Sequence, residues 1–260
     1  MTREGDLSNA KFMRETFGTL ERATPLLLDE DELKFDCFDQ QQVRKGVVCY
    51  VGGCVVDVCW CESRLEETGA HLLTSLAPAP DLKPSPSSGL VLLLRAVSGT
   101  GQLDPVLGLW TSNGTAWALD CNLELGRRTK SIVLATAGHS GKVHVYTLPS
   151  NLENFAPSDE SPPGLFSITP KLELLNNSST SAPAYRLKWS PYKPHSRIAA
   201  GFANGLVCVW DCLEPSPILR QLNADTQRVE LLPLAAFKCH DATVQGVGWL
   251  GADKGNLLIL

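Results

Sequence analysis

The side chains that could do chemistry are few and scattered. Cys239-His240 is the one adjacent thiol–imidazole pair. Neighbours along an extended chain point to opposite faces, so these two cannot act as a nucleophile–base dyad. Asp57 and Asp120 each sit among apolar residues with no second carboxylate at a fixed spacing, so no acid–base pair is offered. The histidines, at 71, 139, 144, 195 and 240, fall in separate segments, which does not suit a metal centre. Gly99-Thr100-Gly101 lacks the Lys-Ser/Thr that completes a phosphate loop. The chain therefore reads as a non-enzyme, with no cofactor, metal or small-molecule substrate expected.

The nine cysteines are an odd number and contain no Cys-x-x-Cys pair. Cys59 and Cys61 flank Trp60, and Cys208 and Cys212 flank Trp210-Asp211; in a strand, each pair faces one side of a sheet. Reduced, buried thiols in a nuclear or cytosolic protein are expected. The polar N-terminus MTREGDLSNAKFMRETFG has no apolar signal core, and no run of ~18 apolar residues is present, so no membrane span is expected. A net charge of −5 argues against binding nucleic acid by phosphate neutralisation. The densest basic run, Arg127-Arg128-Thr129-Lys130, reads as a solvated loop.

What could position functional groups is a set of short strands. Val55–Trp60, Ser131–Ala137, Lys142–Leu148 and Leu206–Trp210 are rich in β-branched and aromatic residues, and Gly52-Gly53, Asn113-Gly114, Ser140-Gly141 and Asn204-Gly205 supply turns between strands. Asn-Gly is the preferred pair for a two-residue hairpin loop. The chain reads as all-β and antiparallel; the first ~30 residues alone have the charge mix of a short helix or tail.

The hairpins repeat. Ile132–Tyr146 aligns with Ser196–Trp210, each a small-residue strand, a turn ending in Gly and an apolar strand ending in an aromatic. A further strand, carrying an inward aromatic such as Trp60, Trp189 or Trp249, precedes each hairpin as Thr115–Cys121 and Ala184–Pro191, and recurs as Val55–Cys61 and Thr243–Trp249; Leu231–Phe237 reads as an outer strand. Equivalent positions Trp60, Cys121, Trp189 and Trp249 stand 61, 68 and 60 residues apart. Four-stranded sheets repeated in this way bury one another when packed around an axis, which is a β-propeller. The long spacing implies inserted loops, and Pro, Ser and Asn are dense near 77–89 and 151–182, where disorder is expected.

These residues resemble WD repeats. His240-Asp241 stands where a blade's leading His would be, and Trp210-Asp211 where its closing Trp-Asp would be. The buried hydrogen-bonded tetrad of a strong blade is incomplete, with Asn204 or Ser140 at the turn and Phe202 at the hydroxyl position. His240 is therefore expected to be exposed or bonded to backbone. Tyr185–Trp210, with its Trp-x-Pro-x-x-Pro-His loop and Ala-Ala-Gly-x-x-Asn-Gly hairpin, is similar to a degenerate WD family, subunit 2 of general transcription factor IIIC. Leu231–Trp249 and Gly141–Ser150 continue the likeness, which runs over 47–260 and leaves the polar segment 1–46 unmatched.

The resemblance implies a WD-repeat-like β-propeller of four-stranded antiparallel blades, incomplete, with about three blades plus a partial one. Ending at Gly255–Leu260 inside a blade, the sequence reads as a truncated or partial form, the alternative being closure by a partner. The implied function is a nuclear, non-catalytic scaffold subunit of the transcription factor IIIC complex, supporting RNA polymerase III transcription of transfer-RNA and 5S ribosomal-RNA genes. Its partners would be the other subunits, with DNA reached only through the complex; the alternative is a generic WD scaffold of another nuclear or cytosolic complex. The candidate contact surface is the Pro191–His195 loop, with Tyr192, Lys193 and His195 presented between prolines. Trp60, Trp189, Trp210, Asp211, His240 and Trp249 are assigned to blade structure, with Trp189, Trp210 and Trp249 in the core.

Overall fold

A computed structural model describes residues 2–3, 26–28, 31–33, 40–43, 46–51, 53–62, 70–77, 89–97, 99–129, 131–149, 164–176, 182–250 and 256–259. Among them the chain is nearly all β: three open, mostly antiparallel sheets, three two-stranded ribbons and one short helix, Leu123–Thr129. These open sheets suit a propeller-like arrangement. The helix takes in Arg127, Arg128 and Thr129 from the basic run expected to be a loop; Asn122 caps it by accepting from the Leu125 amide at 2.9 Å.

The first sheet runs antiparallel through Cys54–Glu62, Ala70–Ala77, Gly89–Ala96 and Leu103–Thr111. Within Gly89–Ala96, Leu90–Leu94 is a continuous apolar run because both its faces are covered: Val91 and Leu93 join one core, Leu90, Leu92 and Leu94 another. The second sheet holds Ala116–Cys121, Ser131–Gly138, Val143–Pro149 and Leu172–Leu174; the third holds Ala184–Trp189, Arg197–Phe202, Leu206–Asp211 and Ala235–Lys238. One apolar core fills the space between first and second sheets, built on Leu73, Leu107, Leu119 and Leu134, and another lies between second and third, built on Val145, Leu187, Phe202 and Trp210.

Two segments depart from the expected layout in the same way. After the third strand of the second sheet, the chain adds Gly164–Ser167 in parallel to the edge of the first sheet, then returns as Leu172–Leu174. After the third strand of the third sheet, it adds Val229–Leu231 in parallel to the edge of the second, then returns as Ala235–Lys238. Residues 164–176, expected inside a disordered insertion, are thus strand and core, with Leu165, Phe166, Leu172 and Leu174 buried. The expected outer strand Leu231–Phe237 is two strands in two sheets. Pro233 sits at the break, where it has no amide to continue a ladder. The Pro- and Ser-rich residues 78–88, 151–163 and 177–181 lie outside the described residues, as does most of 1–46, whose described parts are short strands.

The hairpin turns also differ from the two-residue form. Gly205 has φ 80° and its amide donates to the Phe202 carbonyl at 3.1 Å, while Asn204 does not take a positive φ. The loop 203–205 is therefore a type I turn closed by a left-handed glycine. Gly141 repeats it, with φ 76° and a bond to the Gly138 carbonyl.

Candidate functional site

The strands that begin each sheet, Cys54–Glu62, Ala116–Cys121 and Ala184–Trp189, belong to different sheets yet lie beside one another, and Val247–Leu250 follows in the same order. No main-chain ladder joins them, so side chains must. Asp57 accepts from the Leu119 amide at 2.7 Å, linking first strand to second. Asp120 accepts from the Trp189 amide at 2.7 Å and from Lys188 Nζ at 2.9 Å, linking second to third. The Trp189 indole donates to the Asp120 carbonyl at 3.2 Å, and the Trp249 indole donates to the Lys188 carbonyl at 3.0 Å.

Where these strands converge is a cleft of about 540 Å³, walled by Asp57, Cys59, Trp60, Asp120, Cys121, Leu123, Arg186 and Lys188 among others. Its carboxylates are engaged: Asp57 also accepts from the Val58 amide, and Asp120 from the lysine and the Trp189 amide. Burial pulls the Lys188 ammonium down, but the Asp120 bond outweighs it and holds Lys188 above the ordinary lysine value. Such carboxylates brace strands.

Trp60 is 56% exposed, against the inward position expected for it. The alternation of the strand gives the reason. Cys59 and Cys61 turn toward the core shared with the second sheet, so Val58 and Trp60 must take the opposite face. Trp189 and Trp210 are buried, whereas Trp249 is half-buried, not in the core. The Trp210 indole donates to the Leu175 carbonyl at 3.0 Å, tying the third sheet to the second, and its ring lies 6.5 Å from that of Phe202. Asp211 accepts from the Leu213 amide and shapes the turn after the strand. His240 is exposed, and its amide faces the Gly205 carbonyl.

The Pro191–His195 loop joins Ala184–Trp189 to Arg197–Phe202. Lys193 is exposed and Tyr192 and His195 are partly so. The loop is held from below: the Asn122 side chain donates to the His195 carbonyl at 2.5 Å, the His195 amide to the Tyr192 carbonyl at 2.7 Å, and the Tyr192 amide to Ser190 Oγ. Asn122, buried and next to the cleft residue Leu123, thus fixes both the helix start and the loop. Cys239 and His240 do not form a dyad: the thiol points to the Phe237 carbonyl, and its partial burial pushes it up, away from a reactive thiolate.

No family model matches the chain. It is 27% identical over 253 residues, covering 85% of this chain, to General transcription factor 3C polypeptide 2 of Pongo abelii, and equally to that of Homo sapiens. The chain spans 28% of the length of these curated relatives. Among solved structures, it is similar to Saccharomyces cerevisiae Sqt1, at 14% identity and a TM-score of 0.46, covering 79% of this chain and 44% of that one.

Sequence reasoning missed a second polar cluster, on the far side of the second sheet. Glu173 is buried between Arg228 and Lys142, at 2.5 and 2.7 Å, and pairs across the strands with His144, whose Nδ1 lies 3.1 Å from the Tyr146 hydroxyl. Burial tends to raise Glu173, but the Arg228 and Lys142 bonds win and hold it below the usual carboxylate range. Burial lowers His144 to about 4, with Glu173 opposing and Lys142 and Arg228 assisting. The signal was there in Lys142-Val-His144-Val-Tyr146, whose polar residues alternate along one strand, but its partners came from 31 and 55 residues beyond Lys142 and Glu173, respectively.

Proposed function

We propose that this chain is a non-catalytic interaction subunit of the transcription factor IIIC complex, acting in the nucleus in RNA polymerase III transcription of transfer-RNA and 5S ribosomal-RNA genes. The observation that carries this reading is the 27% identity to General transcription factor 3C polypeptide 2 across 85% of the chain. The structure supports it by the kind of site it offers. The cleft carboxylates brace neighbouring strands, and the Cys239 thiol is not activated, so the exposed loops are left as the working surface. The sheets are read as WD-repeat-like propeller blades, about three with a fourth partial one, their first strands lining a common axis. The loop carrying Tyr192, Lys193 and His195 is the surface assigned to other subunits, with DNA reached only through them.

Affinity purification of the tagged chain from nuclear extract, followed by mass spectrometry, tests the assignment. Enrichment of the other factor IIIC subunits is the expected result. Their reproducible absence, with a different complex recovered, would replace it with a scaffold role elsewhere.

A further inference from the structure

The first strand of each sheet carries the same irregularity, a shift of register between Val55 and Asp57, Ala116 and Ala118, and Ala184 and Arg186. Aligned on it, Val55, Val58 and Trp60 of the first sheet correspond to Ala116, Leu119 and Cys121 of the second, and to Ala184, Leu187 and Trp189 of the third. In the third sheet all three are buried against the second, and Ala116 and Leu119 are buried against the first. In the first sheet the three are 48%, 53% and 56% exposed. Val51 packs with Leu90, Leu92 and Leu94 on the same side of that sheet, so the open part of the face is its innermost strand. The Trp60 indole also lacks what the repeat gives its counterparts. Trp189 and Trp249 donate to the carbonyls of Asp120 and Lys188 in the preceding first strand, whereas the Trp60 indole has no partner among the described residues.

The complement to this face is carried by the ribbon of Val247–Leu250 with Asn256–Ile259. Gly248 holds the place of Asp120 and Lys188, one residue before Trp249, and a Cβ added to it would meet nothing within 4 Å. Leu250 holds the place of Cys61; Cys61 is buried against the next sheet, but Leu250 is 49% exposed. We propose that two copies of this chain associate head to tail, with Val55, Val58 and Trp60 of one copy packed on Gly248 and Leu250 of the other. The Trp60 indole donates to the Gly248 carbonyl of the second copy, continuing the junction that the chain makes twice within itself. Two copies related by a two-fold axis make this contact twice, each supplying both faces. Three sheets and one ribbon from each copy, doubled, give eight sheet positions, within the roughly 4–8 blades of closed propellers. A tryptophan flanked by apolar side chains is the kind of anchor that interface cores favour. The contact depends on the sheet junctions and not on the factor IIIC assignment.

Sedimentation velocity of the purified full chain over a range of concentrations tests this. The expected result is a mass that rises from one chain to two and no further. Trp60→Ala and Leu250→Asp, both at exposed positions and checked for an unchanged circular dichroism spectrum, should each weaken association at least about tenfold. Mixed with each other, the two variants should associate more tightly than either does alone, because the mixed pair keeps one intact contact. Pairing of like faces, Trp60 on Trp60, gives no such rescue. A one-chain mass at every concentration, a mass that climbs beyond two chains, or a pair that both variants leave unchanged would overturn the proposal. If the chain stays single and Trp60→Ala instead lowers recovery of factor IIIC subunits, the face belongs to one of those subunits and the self-association is refuted. The wild-type mass decides this even if a variant fails to fold.

Discussion

The indole nitrogen of Trp189 stands 3.2 Å from the carbonyl oxygen of Asp120, so a residue of the third sheet donates to the backbone of the second. Trp249 makes the same bond to Lys188, one sheet later. Asp120 and Lys188 are equivalent positions, each just before the aligned Cys121 or Trp189. The repeat seen in the sequence is thus a repeat of inter-sheet bonds. It separates two contributions of a tryptophan, the ring that fills a core and the N–H that bridges. Trp189→Phe keeps most of the ring and removes the donor, and should cost about 1 kcal/mol. Trp189→Ala should cost ~3–5 kcal/mol by cavity formation. Trp249→Ala, at a half-buried site, should cost less than Trp189→Ala. Urea denaturation of the three variants checks the order.

The buried His144–Glu173 cluster should make the protein acid-sensitive. His144 has a folded-state value of about 4 against an ordinary 6.5, so the unfolded chain binds the proton more readily. Its contribution is fully present above pH 6.5 and is lost as pH falls from 6.5 toward 4, amounting to roughly 3 kcal/mol. Glu173, held low by Arg228 and Lys142, acts in the same direction in the carboxylate range. Stability measured from pH 7.5 to 4.5 should fall steadily, and His144→Gln should flatten the upper part of that curve.

Gly205 is confined by the chain that packs over it. A Cβ there would lie 1.9 Å from the His240 carbonyl oxygen, on a backbone with φ 80°. Gly205→Ala should therefore destabilise by more than ~1 kcal/mol, whereas Asn204→Asp, on ordinary backbone, should be nearly neutral. Thermal midpoints of the two variants check this.

Much of this architecture was legible. The hairpins 131–149 and 197–211 show because each is a strand-length run of small, β-branched and aromatic residues that turns on a glycine. Three strands of the first sheet, 70–77, 89–96 and 103–111, did not show, because a sheet buried on both faces has no alternation to read. The parallel strands at 164–167 and 229–231 are only four and three residues long, and their partners lie in another sheet. Trp60 was placed inward by aligning it with Trp189, although the flanking cysteines already took that face. The cleft could not be read at all, since Asp57, Asp120 and Lys188 meet only once three sheets converge.

The Tyr192–His195 loop is braced through its backbone, by the Asn122 bond to the His195 carbonyl. Replacing Tyr192 and His195 together by Ala should leave thermal stability within about 1 kcal/mol of the parent and weaken subunit association at least several-fold. Unchanged association would remove this loop from the interface. Asn122→Ala should instead lower stability, because it loses the helix cap and the loop brace together.

Membership of an RNA polymerase III assembly factor is tested most directly by reconstitution. The purified chain is mixed with purified factor IIIC subunits and run by size exclusion at low micromolar concentration. Co-elution with at least one subunit, weakened by the Tyr192/His195 double variant, is the predicted result. Elution of the chain alone beside every subunit would contradict it.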